Sequence, residues 1–258
     1  MSQFVTEWGR KASNLYATEY ARKYRQHDEE LGRVEAYRAF CGWLGEVCDR
    51  FARSGAQGLS GSIDALDLGC GTGRYFVALR HVNALVGLDA SGPMLAEATN
   101  PLGADHITAQ TIQLIEGDVL THQFPAGSFD LVYSIGVLAE HTPFDDRIVE
   151  NVASWLRPGG RFAFTTVHPD STSIPKTIGR AFGRAALPFA PGPMRRWLRA
   201  RLTAGGQYAD EALIAERLGS RFSIESMSRL ESEAHLHCLC VAQKAGEAGR
   251  AGRAGRTG

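Results

Sequence analysis

An apolar run that breaks into three alternating glycines, Ala65-Leu-Asp-Leu-Gly-Cys-Gly-Thr-Gly-Arg-Tyr-Phe76, constrains this chain more than any other stretch. Ala65 to Leu68 read as a buried strand, the glycines as a tight turn, and the residues from Arg74 onward as the start of a helix. Gly69, Gly71 and Gly73 permit positive φ and, without Cβ atoms, let a flat ligand approach the backbone. The loop is therefore expected to hold a nucleotide-like cofactor at the carboxyl end of its strand, where open α/β sheets bind ligands.

Two acidic residues narrow the choice of cofactor. The dinucleotide fingerprint G-x-G-x-x-G needs glycine at position 74, which is Arg74 here. Asp89 closes the next apolar run, Ala84-Leu-Val-Gly-Leu-Asp89, about 20 residues on, and can accept from both hydroxyls of a ribose. Asp67 lies two residues before Gly69. A carboxylate there faces badly toward a pyrophosphate but suits a ligand with an ammonium and a sulfonium charge.

With Asp67-Leu-Gly-Cys-Gly-Thr-Gly73, Val86-Gly-Leu-Asp89 and the following Ala-Ser-Gly-Pro-Met-Leu, Glu116-Gly-Asp118, Phe129-Asp-Leu-Val-Tyr-Ser134 and Leu156-Arg-Pro-Gly-Gly160 in order, the chain resembles the class I S-adenosylmethionine-dependent methyltransferases. The similarity runs from about Ile63 to Gln243. It implies an α/β fold: a three-layer Rossmann-like sandwich around a mostly parallel seven-stranded sheet with an antiparallel last strand. It also implies S-adenosyl-L-methionine as cofactor. Gly69, Gly71 and Gly73 would take the amino acid part, with Asp67 near its ammonium, and Asp89 with Ala90 the ribose. Asp118 would accept from the adenine amine while Val119 and Met94 or Leu95 sandwich the ring, and Ser134 and Ile135 would line the methyl-facing side.

The alternation of elements supports the same architecture. Strands are expected at Leu85–Asp89, Ile112–Glu116, Phe129–Ser134 and Arg161–Val167, with helices at Ser91–Thr99 and Phe144–Leu156 between them. Right-handed crossovers then give a parallel sheet buried on both faces. Phe222–Leu230 and His235–Val241 are separated only by Glu231-Ser-Glu-Ala234, too short for anything but an antiparallel pair, and this reverses one edge strand.

The methyltransferase domain would occupy 59–243. Residues 1–58 are expected to be helical, with Tyr16, Tyr20 and Tyr24 on one face and a second helix near Glu29 turning Leu31, Val34, Tyr37, Phe40 and Leu44 inward. The resemblance makes this segment a lid, although burial against the sheet accounts equally for its aromatics. Residues 170–206 carry seven basic side chains against Asp170 and several aromatics, a composition that suits either a substrate cap or a solvated surface. The Ala-Gly-Arg repeats of 244–258 bury almost nothing and are expected to be disordered.

Charge and cysteine usage exclude more than they assign. Lys+Arg and Asp+Glu number 28 each, so no global field draws nucleic acid or membrane to the chain. A methyl acceptor that is a small molecule, modified at oxygen or nitrogen, is expected, and nucleic acid and a membrane span are disfavoured. The alternatives are methylation of RNA, protein or lipid head groups with the basic 170–206 segment as docking surface, or a non-catalytic cofactor-binding partner, and the oligomeric state is left open. Strand four lacks the Asp/Asn-Pro-Pro-Tyr/Phe that holds a planar amine in relatives, which argues against a nucleobase acceptor. The five cysteines fall within expected regular elements, and with no cationic leader at Met1 the protein reads as cytoplasmic.

Methyl transfer is an in-line displacement in which alignment and exclusion of water do most of the work. A base is needed only for a hydroxyl or a protonated amine. His141, after strand four, is the first candidate and His168, after strand five, the second. His235-Leu-His-Cys-Leu-Cys240 resembles metal spacing, but on a strand the histidines and cysteines face opposite sides, so no metal is expected there.

Overall fold

The computed structural model describes residues 6–15, 17–31, 34–53, 62–171, 186, 189–194, 208–232 and 235–246. Tyr16, most of the basic 170–206 segment and the tail beyond 246 lie outside these residues.

Seven strands form one sheet in the order β3-β2-β1-β4-β5-β7-β6. They are β1 (Ile63–Leu68), β2 (Val82–Asp89), β3 (Thr111–Glu116), β4 (Phe129–Ser134), β5 (Leu156–Val167), β6 (Phe222–Glu231) and β7 (Leu236–Lys244). β1 to β5 are parallel, and β7 runs antiparallel to both β5 and β6. The reversed strand is therefore not the edge, as the hairpin alone suggested. It slots between β5 and β6, and β6 takes the edge. β3 forms the other edge, with no fully buried residue, so the sheet is not covered throughout.

The helices are α1 (Glu7–Leu15), α2 (Thr18–Leu31), α3 (Glu35–Arg53), α4 (Gly92–Ala98), α5 (Asp146–Trp155) and α6 (Glu211–Leu218). Ser91 caps α4 by accepting from Met94 N, and Asp145 caps α5 by accepting from Arg147 N and Ile148 N. α5 turns Ile148, Val149, Val152 and Trp155 into the core, each fully buried and contributing about 1.5–3 kcal/mol by area. α6 was not foreseen. Asp210 caps it, and Leu213, Ile214 and Leu218 bury against the α5 side of the sheet.

The helix expected from Arg74 is absent. Phe76–Ala78 form one 3-10 turn, and Leu79 is already extended. Between the turn at Gly73 and β2 at Val82 too little chain remains for a helix that runs back along the sheet. α3 supplies the missing layer: Phe40, Leu44, Val47 and Cys48 pack with Ile63, Ala65, Phe76 and Leu79 in one cluster. Tyr37, Phe40 and Leu44 are buried as expected, but on a helix that begins at Glu35 rather than near Glu29.

Candidate active site

β1 and β2 pair in parallel with Asp67 opposite Gly87 and Leu68 opposite Leu88, which brings the glycine loop beside Asp89. The loop is pinned by Gly69 N and Cys70 N, both donating to Leu88 O, and by Gly73 N donating to Cys70 O. Gly69 has φ +76°, and a Cβ there would lie 2.5 Å from Val137 Cγ2. Any side chain at that position would be strained and would clash with the loop after β4. Gly73 (φ +74°) is closed in the same way by the Phe76 ring.

A cavity with about 230 Å³ of interior space opens above the carboxyl ends of the parallel strands. One half is bordered by Asp67, Gly69, Gly71, Asp89, Ala90, Met94, Asp118, Val119 and Ile135, and His141 borders the other half. Three predicted residues do not border it. Gly73 turns the loop from behind. Ser134 is fully buried and donates to Leu68 O at 2.8 Å, so it ties β4 to β1. His168 is buried beside Glu211 and Asp170.

Asp89 uses one lone pair on each oxygen for the loop: Oδ2 accepts from Gly71 N at 2.8 Å and Oδ1 from Ser91 N at 2.9 Å. Ala90 N also acts on the carboxylate, and the acceptor capacity left over is what a ribose hydroxyl would use. Burial raises its carboxyl, and those amides offset part of the rise. Asp67 is 3% exposed, and burial pushes its carboxyl up to about 8, with the Tyr133 hydroxyl pulling the other way. A cation arriving beside it would restore the ionised form.

Asp118 holds a contact that the sequence did not suggest. Its Oδ1 accepts from Leu120 N at 2.9 Å, while Oδ2 takes both the amide and the hydroxyl of Thr6, just before α1. The N-terminal helices are tied to the glycine loop as well. Asp28 of α2, fully buried, pairs with Arg74 at 2.8 Å and accepts from Thr72 Oγ1. The Arg74 guanidinium lies 4.1 Å from the Tyr24 ring centroid, and Tyr37 Oη donates to Arg74 O.

The loop after β4 is folded tightly. Ala139 N donates to Thr142 O, and His141 N and Thr142 N both donate to Val137 O. Ala139 adopts φ 57°, unfavourable for a residue with a Cβ and of the kind that gathers at functional loops. The loop presents Glu140 and His141 to the cavity. Burial pushes Glu140 up to about 7 against the pull of Arg74, and burial together with His235 lowers His141. Sequence reading missed most of the remaining wall: Gly9, Tyr24, Phe40, Arg74, Tyr75 and His237. Tyr24 and Phe40 stood out by helical spacing, but nothing in the spacing showed which ligand they would face.

His168, Glu211 and Cys238 place one ligand atom each within 4.8 Å of one another, a trio different from the 235–240 run. Hydrogen bonding and ion pairing account for its acid and its imidazole. His168 Nδ1 accepts from Asp170 N, so Nε2 carries the proton toward Glu211, 3.5 Å away, and Arg229 grips both Glu211 oxygens.

Residues 65–160 match the family model of a methyltransferase domain. Over that stretch the chain is similar to methyltransferase domains. The match includes the glycine loop, Asp89, Asp118 and the loop after β4. A probable chloroplastic tocopherol O-methyltransferase of Oryza sativa is 33% identical over 103 residues, 39% of this chain and 28% of that protein. A ubiquinone biosynthesis O-methyltransferase of Coxiella burnetii is 32% identical over 114 residues, 44% of this chain and 47% of that protein. The chain thus spans less than half the length of these two relatives. The structure of magnesium protoporphyrin IX methyltransferase from Synechocystis with bound SAH superposes with a TM-score of 0.59, over 93% of this chain and all of that one. At 17% identity that likeness speaks for the fold alone. No helix among the described residues is long and apolar enough to cross a membrane.

Proposed function

We propose that this chain is an enzyme that transfers a methyl group from S-adenosylmethionine to an oxygen or nitrogen of a small-molecule acceptor. The observation that carries the reading is the pairing, on one cavity, of Asp89, an acceptor oriented by loop amides, and Asp67, a buried acid that a cation would ionise.

The donor set fits the cofactor part by part. Asp89 takes the ribose, Asp67 and the loop glycines take the ammonium end, and Val119 and Met94 enclose the adenine with Asp118 at its amine. Bound there, S-adenosylmethionine supplies a methyl carbon activated by its own positive sulfur. The chain's part is to fix the acceptor and keep water out. Helices α1 to α3 serve as the lid, because Thr6, Gly9, Tyr24 and Phe40 reach the cavity or its carboxylates from above the sheet.

The two curated relatives described above are named as O-methyltransferases, which favours a hydroxyl acceptor. His141 then receives its proton, because it borders the cavity and His168 does not. Incubation of a metabolite extract with methyl-labelled S-adenosylmethionine, followed by mass spectrometry, tests the reading. A labelled small molecule is expected. Label confined to RNA or protein, or none with the cofactor bound, would overturn it. His141→Ala should lower kcat at least tenfold with little change in affinity for S-adenosylhomocysteine.

A further inference from the structure

Tyr133 carries a hydroxyl that the fold does not use. The residue stands on β4 opposite Asp67 of β1, so the two side chains leave the same face of the sheet. It is fully buried, and its ring belongs to the α3-side cluster with Leu44, Cys48 and Ala65. Its Oη has no hydrogen-bond partner among the described residues. Buried polar atoms are nearly always paired, so this hydroxyl calls for a partner in another state of the molecule.

Asp67 is the partner within reach. Burial pushes its carboxyl up to about 8, Asp89 of β2 adds to the rise by like charge, and the Tyr133 hydroxyl alone pulls it down. The hydroxyl thus lies close enough to act on the carboxyl, yet outside a formed hydrogen bond. The other titratable groups facing Tyr133 are Cys70 of the glycine loop and Cys48 of α3, thiols that burial raises, to about 11 for Cys48, and so keeps neutral. Among the described residues no cation acts on Asp67. Asp67 borders the cavity and Tyr133 does not, so a ligand there meets only the acid.

We propose that Tyr133 is a positioning residue for the ammonium of the cofactor: when that cation reaches Asp67 from the cavity, the buried hydroxyl donates to the carboxylate from the core side and holds it ionised and aimed. The inference rests on the methyl-transfer reading above and adds a residue that acts through Asp67. An ionised carboxylate accepts more strongly than a protonated one, and a hydroxyl donating to it forms a charge-assisted bond. In the ligand-free protein at neutral pH Asp67 keeps its proton, and the hydroxyl stays unpaired. A carboxylate has lone pairs for both the ammonium and the hydroxyl, so binding satisfies two groups at once. Phenylalanine at 133 would keep the ring and lose only this donor.

Tyr133→Phe tests the proposal with two probes: S-adenosylhomocysteine, which carries the ammonium, and 5′-methylthioadenosine, which lacks it. Without the hydroxyl the carboxyl titrates higher in the free protein, and a ligand that needs it ionised should lose about tenfold in affinity at pH 7. Near pH 9.5 Asp67 is largely ionised in both proteins, and the loss should shrink to about twofold or less. The titration of the ligand itself cancels in the ratio of the two affinities. 5′-Methylthioadenosine should bind both proteins equally at either pH, and the ligand-free melting temperature at pH 6 should not fall. Calorimetry showing no loss, a loss independent of pH, or an equal loss with both probes would each overturn the proposal, as would a melting temperature lowered by several degrees. Should the variant fail to fold, wild-type protein carbon-13 labelled at tyrosine Cζ decides: the Tyr133 resonance should shift with S-adenosylhomocysteine and stay put with 5′-methylthioadenosine. No shift, or the same shift with both, would count against Tyr133. Failure of the wild type to bind S-adenosylhomocysteine would sink the methyl-transfer reading instead.

Discussion

At the residue scale, two carboxylates on one cavity have different duties. Asp89 is oriented by backbone amides, so its removal loses the ribose contacts as well as two ties within the loop. Asp89→Ala should weaken S-adenosylhomocysteine binding by about a hundredfold or more, since hydrogen bonds to a charged group are worth about 1.5–3 kcal/mol each. Calorimetry reads this directly. Asp67 is held protonated until a cation arrives, and the sign of its pH effect follows. Its carboxyl lies at about 8 in the folded protein and at the ordinary 3.8 when unfolded, so between those values the unfolded chain releases a proton that the folded one keeps. Ligand-free stability contributed by this group is therefore complete at low pH, falls from about pH 4 to 8, and levels above. Affinity for the ammonium-bearing ligand runs the other way and rises by up to tenfold per pH unit until about 8. Asp67→Asn should flatten its part of both profiles in melting and calorimetric titrations.

At the element scale, the loops on the carboxyl side of the sheet interlock. Gly69 faces Val137 of the loop after β4, so Gly69→Ala combines a strained φ with a 2.5 Å clash. It should cost about 2–4 kcal/mol in urea denaturation. Adding Val137→Ala should recover only the steric part. α1 is tied to the site through Thr6, which occupies the Asp118 oxygen assigned to the adenine amine. Thr6→Ala should tighten S-adenosylhomocysteine binding a fewfold by removing that competition, and calorimetry showing weaker binding would make Thr6 part of the site instead. The strand and helix periodicities announced most elements because they depend on local spacing. The helix expected after Gly73 failed because too little chain separates that glycine from β2, and α3, far away in sequence, covers the face instead; α6 was missed because its short apolar stripe gains its partners from other elements of the sheet's α5 side.

At the scale of the whole molecule, the two ends of the sheet divide the work. The carboxyl ends hold the cavity, while at the amino ends Arg157 of β5 bridges Asp64 of β1 at 2.9 Å and Asp130 of β4. Arg157→Ala strands the nearly buried Asp130 and should cost about 2 kcal/mol, discounted for the partly exposed guanidinium. Denaturation should show this with the affinity for S-adenosylhomocysteine unchanged. The primary sequence by itself determined the passage from buried strand to glycine loop, the three acids at the strand tips and the glycines between them. Each of these belongs to a short stretch whose spacing already states its geometry. Only the tertiary structure decided that β7 lies inside the sheet, that His168 is buried beside Glu211 outside the cavity wall, that Thr6 reaches Asp118, and that His237 joins the wall. Those facts join residues from separate stretches of the chain, and no local pattern encodes which distant side chains will share a wall.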